Sequence, residues 1–214
     1  MFTILHVHAQ DSPALRINEQ GYFATQGLNV MVFEDIYPEG HQTGVSIIQH
    51  GERVAANGDL RLEISPGQWS PVPKGGSKHI DTSAQTITQI LWYPDSGKNR
   101  KGFNPIIYPD LRLKYQVRVK ALEGTRFRIT VDLEEAIPEE WAGKIGFNME
   151  LFPGHLFGKS YLIGNQLGHF TPSPSGPVSA QKDDQMLGLK LGSGQNLVVA
   201  PASDQYRLRY HSEK

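Results

Sequence analysis

The chain has no cysteine in its 214 residues. That excludes a disulfide framework, a thiolate metal site and a cysteine nucleophile. It also has no charge surplus: 21 Lys and Arg stand against 22 Asp and Glu, a formal net charge of −1. Proteins that track phosphates, on nucleic acid or on an anionic membrane, need a clear basic excess. No segment is long and apolar enough to span a membrane. Nucleotide signatures are missing as well, with no GxxxxGK[ST] and no GxGxxG between a strand and a helix. "LGLKLGSG" (187–194) reads as a strand and a turn, and no G-x-S-x-G elbow occurs. Helical periodicity is absent except for one short turn in "EEAIPEEWAG" before Ile145. The eight histidines are scattered. His6-x-His8 has usable strand spacing, but His41, His50, His155 and His169 stand alone, whereas a zinc site needs three or four converging ligands. No metal and no cofactor is therefore implied.

What is present is a period of two. In "LRLKYQVRVKALEGTRFRITVDL" (111–133), Leu111, Leu113, Tyr115, Val117 and Val119 alternate with Arg112, Lys114, Gln116, Arg118 and Lys120. After Glu123-Gly124 the pattern resumes at Phe127, Ile129, Val131 and Leu133. This predicts a long antiparallel hairpin with a core face and a wet face, the wet face basic on one arm. Shorter strands are expected at 15–18, 28–33, 45–49, 60–64, 87–93, 145–151, 186–191, 197–200 and 206–210. Turn residues separate them at 19–21, 57–59, 66–67, 75–76, 95–97 and 192–194. Irregular stretches are expected at 94–110, basic with aromatics, and at 171–179, rich in Pro and Ser. With 22 Gly, 14 Pro and 38% hydrophobic residues, the chain reads as all-β, an antiparallel β-sandwich of two sheets forming a single domain over 11–214. A closed barrel carrying a hydrophobic ligand is the architectural alternative. The first ten residues, MFTILHVHAQ, resemble the tail of a truncated signal peptide, which predicts a periplasmic or secreted protein.

Candidate chemistry falls on carboxylates and aromatics. Glycoside hydrolysis uses two carboxyl groups, and Glu150, Asp59, Glu34 and Asp35 are the acids placed at strand ends, turns or inside a strand. Glu150 is the most unusual. Phe147, Met149 and Leu151 share one face of its strand and Asn148, Glu150 and Phe152 the other, so its pKa could be raised for acid catalysis or it could pair with an arginine of the basic hairpin arm. Pro153-Gly154 then ends the strand, and Phe157, Lys159 and Tyr161 follow as a rim. Sugar rings stack on aromatic faces while their hydroxyls take polar partners. Trp69, Trp92, Tyr108, Trp141 and Tyr161, with Lys159 as a polar partner, are the candidate ligand-binding residues. Each aromatic could equally cap the end of the core with its polar edge wet.

Three stretches carry a family resemblance: "GYFATQGLNVMVFEDIYPEGHQTGVSIIQHGERVAANGDLRL" (21–62), "YPDSGKNRKGFNPIIYPDLRLKYQVRV" (93–119) and "KIGFNMELFPGHLFGKSYLIGNQLGHFTPSPSGPV" (144–178). Together they resemble the N-terminal β-rich accessory region of bacterial glycoside hydrolase family 9, the cellulase-type proteins. In that family the catalytic acids belong to a separate helical barrel, none of whose motifs occurs here, so no catalytic residue carries over. The resemblance implies a non-catalytic accessory domain that binds a polysaccharide or oligosaccharide, or buttresses a downstream catalytic domain. The alternative is a carbohydrate-active enzyme, a hydrolase or epimerase, using Glu150 with a second carboxylate.

Overall fold

The computed structural model describes residues 14–34, 44–62, 73–93, 111–151, 156, 158–163, 166–170, 183–184, 187–192, 195–199 and 208–209. Beyond residue 161, side chains are described only at 167–170. The expectations for 1–10, Asp35, 66–67, Trp69, 94–110 including Tyr108, Pro153-Gly154, Phe157 and 171–179 lie outside these residues. The chain divides into two compact units, Met1–Glu150 and Leu151–Lys214.

The first unit is an antiparallel sandwich, as the alternation predicts. One sheet has six strands: β1 (Arg16–Ile17), β2 (Phe23–Thr25), β3 (Leu28–Val32), β4 (Val45–Gln49), β5 (Glu52–Leu62) and, after the strands of the second sheet, β10 (Ile145–Leu151), ordered β1-β2-β3-β4-β5-β10. The other has four: β6 (Lys74–Asp81), β7 (Thr86–Tyr93), β8 (Leu113–Ala121) and β9 (Phe127–Leu133), ordered β6-β7-β8-β9. The predicted hairpin is β8–β9, and Gly124 takes the positive φ, 69°, that its turn requires.

Period two sends alternate residues of β7 and β8 inward. Ile87, Leu91, Tyr93, Leu113, Tyr115, Val117 and Val119 form one core with Leu15, Phe23, Val30, Val32, Val45 and Leu62 of the first sheet and its approach. Each fully buried aliphatic or aromatic side chain contributes about 1.5–3 kcal/mol. Polar ties join the two sheets at their ends. Leu15 N–H donates to Gly124 O at 2.9 Å, and Ile17 N–H donates to Gln85 Oε1 at 2.8 Å. Among the described residues no ladder joins the two sheets, so this unit is a sandwich with a shared core and not the closed barrel that a carrier would need.

Two expected turns are instead bulges inside strands. Asn57-Gly58-Asp59 lies within β5, where Asn57 adopts φ 55° and the register against β4 shifts between Val45 and Ile47. Gly75-Gly76 lies within β6, where the register against β7 shifts between Gly75 and Lys78. Glycine and asparagine tolerate the irregular backbone of a bulge as readily as that of a turn. Phe147, expected on the core face of β10, is 44% exposed, while Met149 does pack on the core. The short turn before Ile145 is a 3-10 turn at Glu139–Trp141.

In the second unit, β11 (Ser160–Ile163) pairs with β12 (Gln166–His169) and with β14 (Leu187–Gly192). Strand β14 pairs in turn with β15 (Gln195–Val199), completing a four-stranded sheet. A separate pair joins β13 (Asp183–Asp184) to β16 (Leu208–Arg209).

Candidate ligand-binding face

The register of the four-stranded sheet lays its outward residues out as a grid. On β8, Lys114, Gln116, Arg118 and Lys120 alternate with the core residues. Opposite them on β7 stand Trp92, Ile90, Thr88 and Thr86. On β9, Asp132, Thr130 and Arg128 stand opposite Gln116, Arg118 and Lys120. Cross-strand partners share a face with Cβ atoms about 5 Å apart, so one aromatic ring, hydroxyls, an amide and a line of cations lie side by side in solvent.

Trp92 is the aromatic of this face and is 42% exposed. It lies over Gly76 at the β6 bulge: a Cβ on that glycine would come within 2.1 Å of the Trp92 ring. The glycine therefore lets the indole lie down on the sheet while much of the ring stays exposed. Lys114 stands beside it, its Nζ 5.9 Å from the ring centroid, and is itself held by Glu134 at 2.8 Å. Arg118 pairs with Asp132 at 2.8 Å. Replacing Gly76 by Ala is expected to lift the indole off the strand. Iodide quenching of tryptophan fluorescence should then increase, and the increase should vanish in a Trp92→Phe background.

The other sequence candidates are dispersed. Trp141 ends the 3-10 turn, half-buried against the core, with Lys144 Nζ 5.5 Å from its ring centroid. Tyr161 lies in the second unit against Phe170, with ring centroids 4.8 Å apart, and its ring covers Gly168 as Trp92 covers Gly76. Lys159 is half-buried just before β11, its backbone N–H donating to Leu156 O at 2.9 Å and its carbonyl accepting from Phe170 N–H at 3.0 Å.

The three candidate acids among the described residues are each committed elsewhere. Glu150 accepts from Asn57 Nδ2 at 2.7 Å and pairs with Arg61 Nη1 at 3.3 Å, a partner on β5 and not on the hairpin arm. Glu34 pairs with Lys78 of β6. The carboxyl with a raised pKa is Asp59, pushed up to about 7, chiefly because burial penalises its charged form. The Leu60 N–H at 2.7 Å and the Tyr115 hydroxyl at 2.9 Å, both donating to Asp59 Oδ1, act in the opposite direction. The same pair, with burial as the larger cause, raises the Tyr115 hydroxyl above its ordinary pKa. Asp59 is only 6% exposed and lies against a core tyrosine, the setting of a structural acid and not of one open to a substrate.

The sequence signal that marks Trp92 is an aromatic at the end of a strand; its outward phase comes from the register with β8. The signal missed is Gly76, whose role depends on the bulge. Among the described residues no cluster of His, Asp and Glu is arranged to hold a metal, and no helix is long and apolar enough to cross a membrane. Comparison with known proteins finds no matching family model, no matching curated protein and no matching solved structure.

Proposed function

We propose that this chain is a non-catalytic, carbohydrate-binding β-sandwich, an accessory domain of a secreted or periplasmic polysaccharide-degrading protein. The observation that carries the binding reading is Trp92, laid over Gly76 and 42% exposed, with Lys114 opposite it and the amide of Gln116 on the diagonal. A flat apolar ring within reach of fixed polar groups is what a pyranose requires: its axial C–H face stacks and its hydroxyls exchange water for the rim. An outward sheet face also suits a polymer, which needs an open track and not a closed pocket. The accessory role and the export rest on the sequence resemblance and the N-terminal residues. The catalytic alternative would require Glu150 and a second acid to meet across a cleft about 5–9.5 Å wide; Glu150, Asp59 and Glu34 instead face Arg61, Tyr115 and Lys78.

The test is retention of the full chain on immobilised cellulose, xylan, mixed-linkage glucan and uronate-containing polymers. Trp92→Ala is expected to weaken retention about tenfold or more, from the loss of stacking worth at least about 1.4 kcal/mol. Its thermal midpoint should change little, because the ring is half in solvent. An intact wild-type fold retained on none of these polymers would overturn the binding reading.

A further inference from the structure

The outward face has a charge pattern that a neutral glycan does not call for. Lys120 and Arg128 stand directly opposite each other across β8 and β9, both exposed. Like charges at such a position oppose strand pairing. Among the described residues neither has an acidic partner. Two acids on this face are ion-paired, Asp132 with Arg118 and Glu134 with Lys114; Asp81, across Thr86 in the row of Lys120, keeps its charge and accepts from the hydroxyl and N–H of Ser83 and the N–H of Ala84 at 2.6, 2.9 and 2.8 Å. Lys120 and Arg128 therefore leave a local positive field on a chain whose formal net charge is −1. From Lys114 beside Trp92 to Lys120 the strand rises roughly 20 Å, so the ring and the unpaired cations share one face of the sheet at its two ends.

Resting on the carbohydrate-binding reading, we propose that this face takes an anionic polysaccharide. One pyranose stacks on Trp92, and a carboxylate or sulfate further along the same chain is held between Lys120 and Arg128. The partner's negative charge turns the unfavourable like-charge pair into a chelating one, with a guanidinium and an ammonium on a single anion. Between them lie Ile90, the hydroxyls of Thr88 and Thr130, the amide of Gln116 and the Arg118–Asp132 ion pair, whose charges offset each other.

The decisive variant is Lys120→Glu. It places opposite charges across the ladder, so folding stability should hold or rise, whereas binding of an anion should fall about tenfold or more, from loss of one charge-assisted contact. Affinity electrophoresis of the full chain is run in gels containing polygalacturonate (carboxylates only), dextran sulfate (sulfates only), and neutral mixed-linkage glucan and xylan. Retardation by either anionic polymer, weakened by both Lys120→Glu and Trp92→Ala, carries the inference, and the carboxylate and sulfate gels tell which group is read. Retardation only in the neutral gels, unchanged by Lys120→Glu, overturns the inference and leaves the carbohydrate-binding reading standing. Retardation in no gel overturns both. Anionic retardation insensitive to Trp92→Ala, or matched by single-stranded DNA in place of the glycan, overturns it as well, because the face would then be reading charge alone.

Discussion

Raising the pH from about 4 to about 7 is expected to destabilise the first unit by about 3 kcal/mol through Asp59 alone. The carboxyl is raised from its ordinary 3.8 to about 7, first by burial, and each unit of difference between folded and unfolded states corresponds to about 1.4 kcal/mol. The folded state keeps the proton in this window while the unfolded chain has lost it. Stability therefore falls as pH rises toward 7 and levels off above it. The contribution is full at acidic pH, the reverse of a salt-bridged acid. Asp81 shows that opposite behaviour: the Ser83 hydroxyl first, then the Ala84 N–H, hold it low, so what it contributes is present above the ordinary carboxylate range and is lost only as pH drops below it. The two windows do not overlap, so they separate in one titration. Asp59→Asn keeps the shape and an acceptor for the Tyr115 hydroxyl but cannot ionise. Its urea midpoint is expected to be flat between pH 4 and 7 and to exceed that of the wild type at pH 8. Parallel pH profiles for the two proteins would show that Asp59 does not titrate with folding.

That behaviour was not legible in the sequence, where Asp59 followed an Asn-Gly pair and read as a turn. A turn would have left it wet. The bulge keeps β5 running through it, and the tyrosine that meets it sits 56 positions away. No local pattern encodes a distant partner. The same reason misplaced the sheet edge at Gly75-Gly76, which reads as a turn pair and proves to be the bed of the Trp92 ring. What was legible was the extent of β4, β7 and β10 to within a residue, and the inward and outward faces of β8 and of most of β9, where Leu133, in phase with the core residues, is nevertheless 39% exposed. Those faces place the basic arm outside, and the register then puts Trp92 beside it. The alternation failed at Phe147, which keeps phase with Met149 yet remains 44% exposed: β10 borders β5 at the end of its sheet's order, and an end strand has a core on only part of its length. Glu150 was legible as an acid among apolar neighbours, but its partners Asn57 and Arg61 come from β5, not from the basic arm the charge pattern pointed to.

Phe23→Ala is expected to cost about 3–5 kcal/mol, the range for truncating a fully buried aromatic. Phe23 has no exposed surface and lies in the shared core. It begins a strand of three residues that the alternation does not reveal, because so short a stretch offers no period. It stands opposite Val30 on one side and Ile17 on the other, so its ring is the apolar link between the two-residue β1 and the rest of the six-stranded sheet. Removing it opens a cavity and loosens the strand that ties to the turns of the opposite sheet through Leu15 and Ile17. With whole-domain stabilities of about 5–15 kcal/mol, the variant should lower the thermal midpoint by roughly 10 °C or more, and Phe23→Leu should recover most of the loss because it refills the volume. A midpoint shift below about 2 °C for Phe23→Ala would mean that the core can close over the gap. Below its own midpoint, Phe23→Ala should bind ligand like the wild type, because the Trp92 face belongs to the other sheet and is built by β6–β9 pairing that Phe23 does not enter. Stability lost with binding retained is the reverse of what Lys120→Glu should do, and the pair of variants assigns the core and the outward face their separate work.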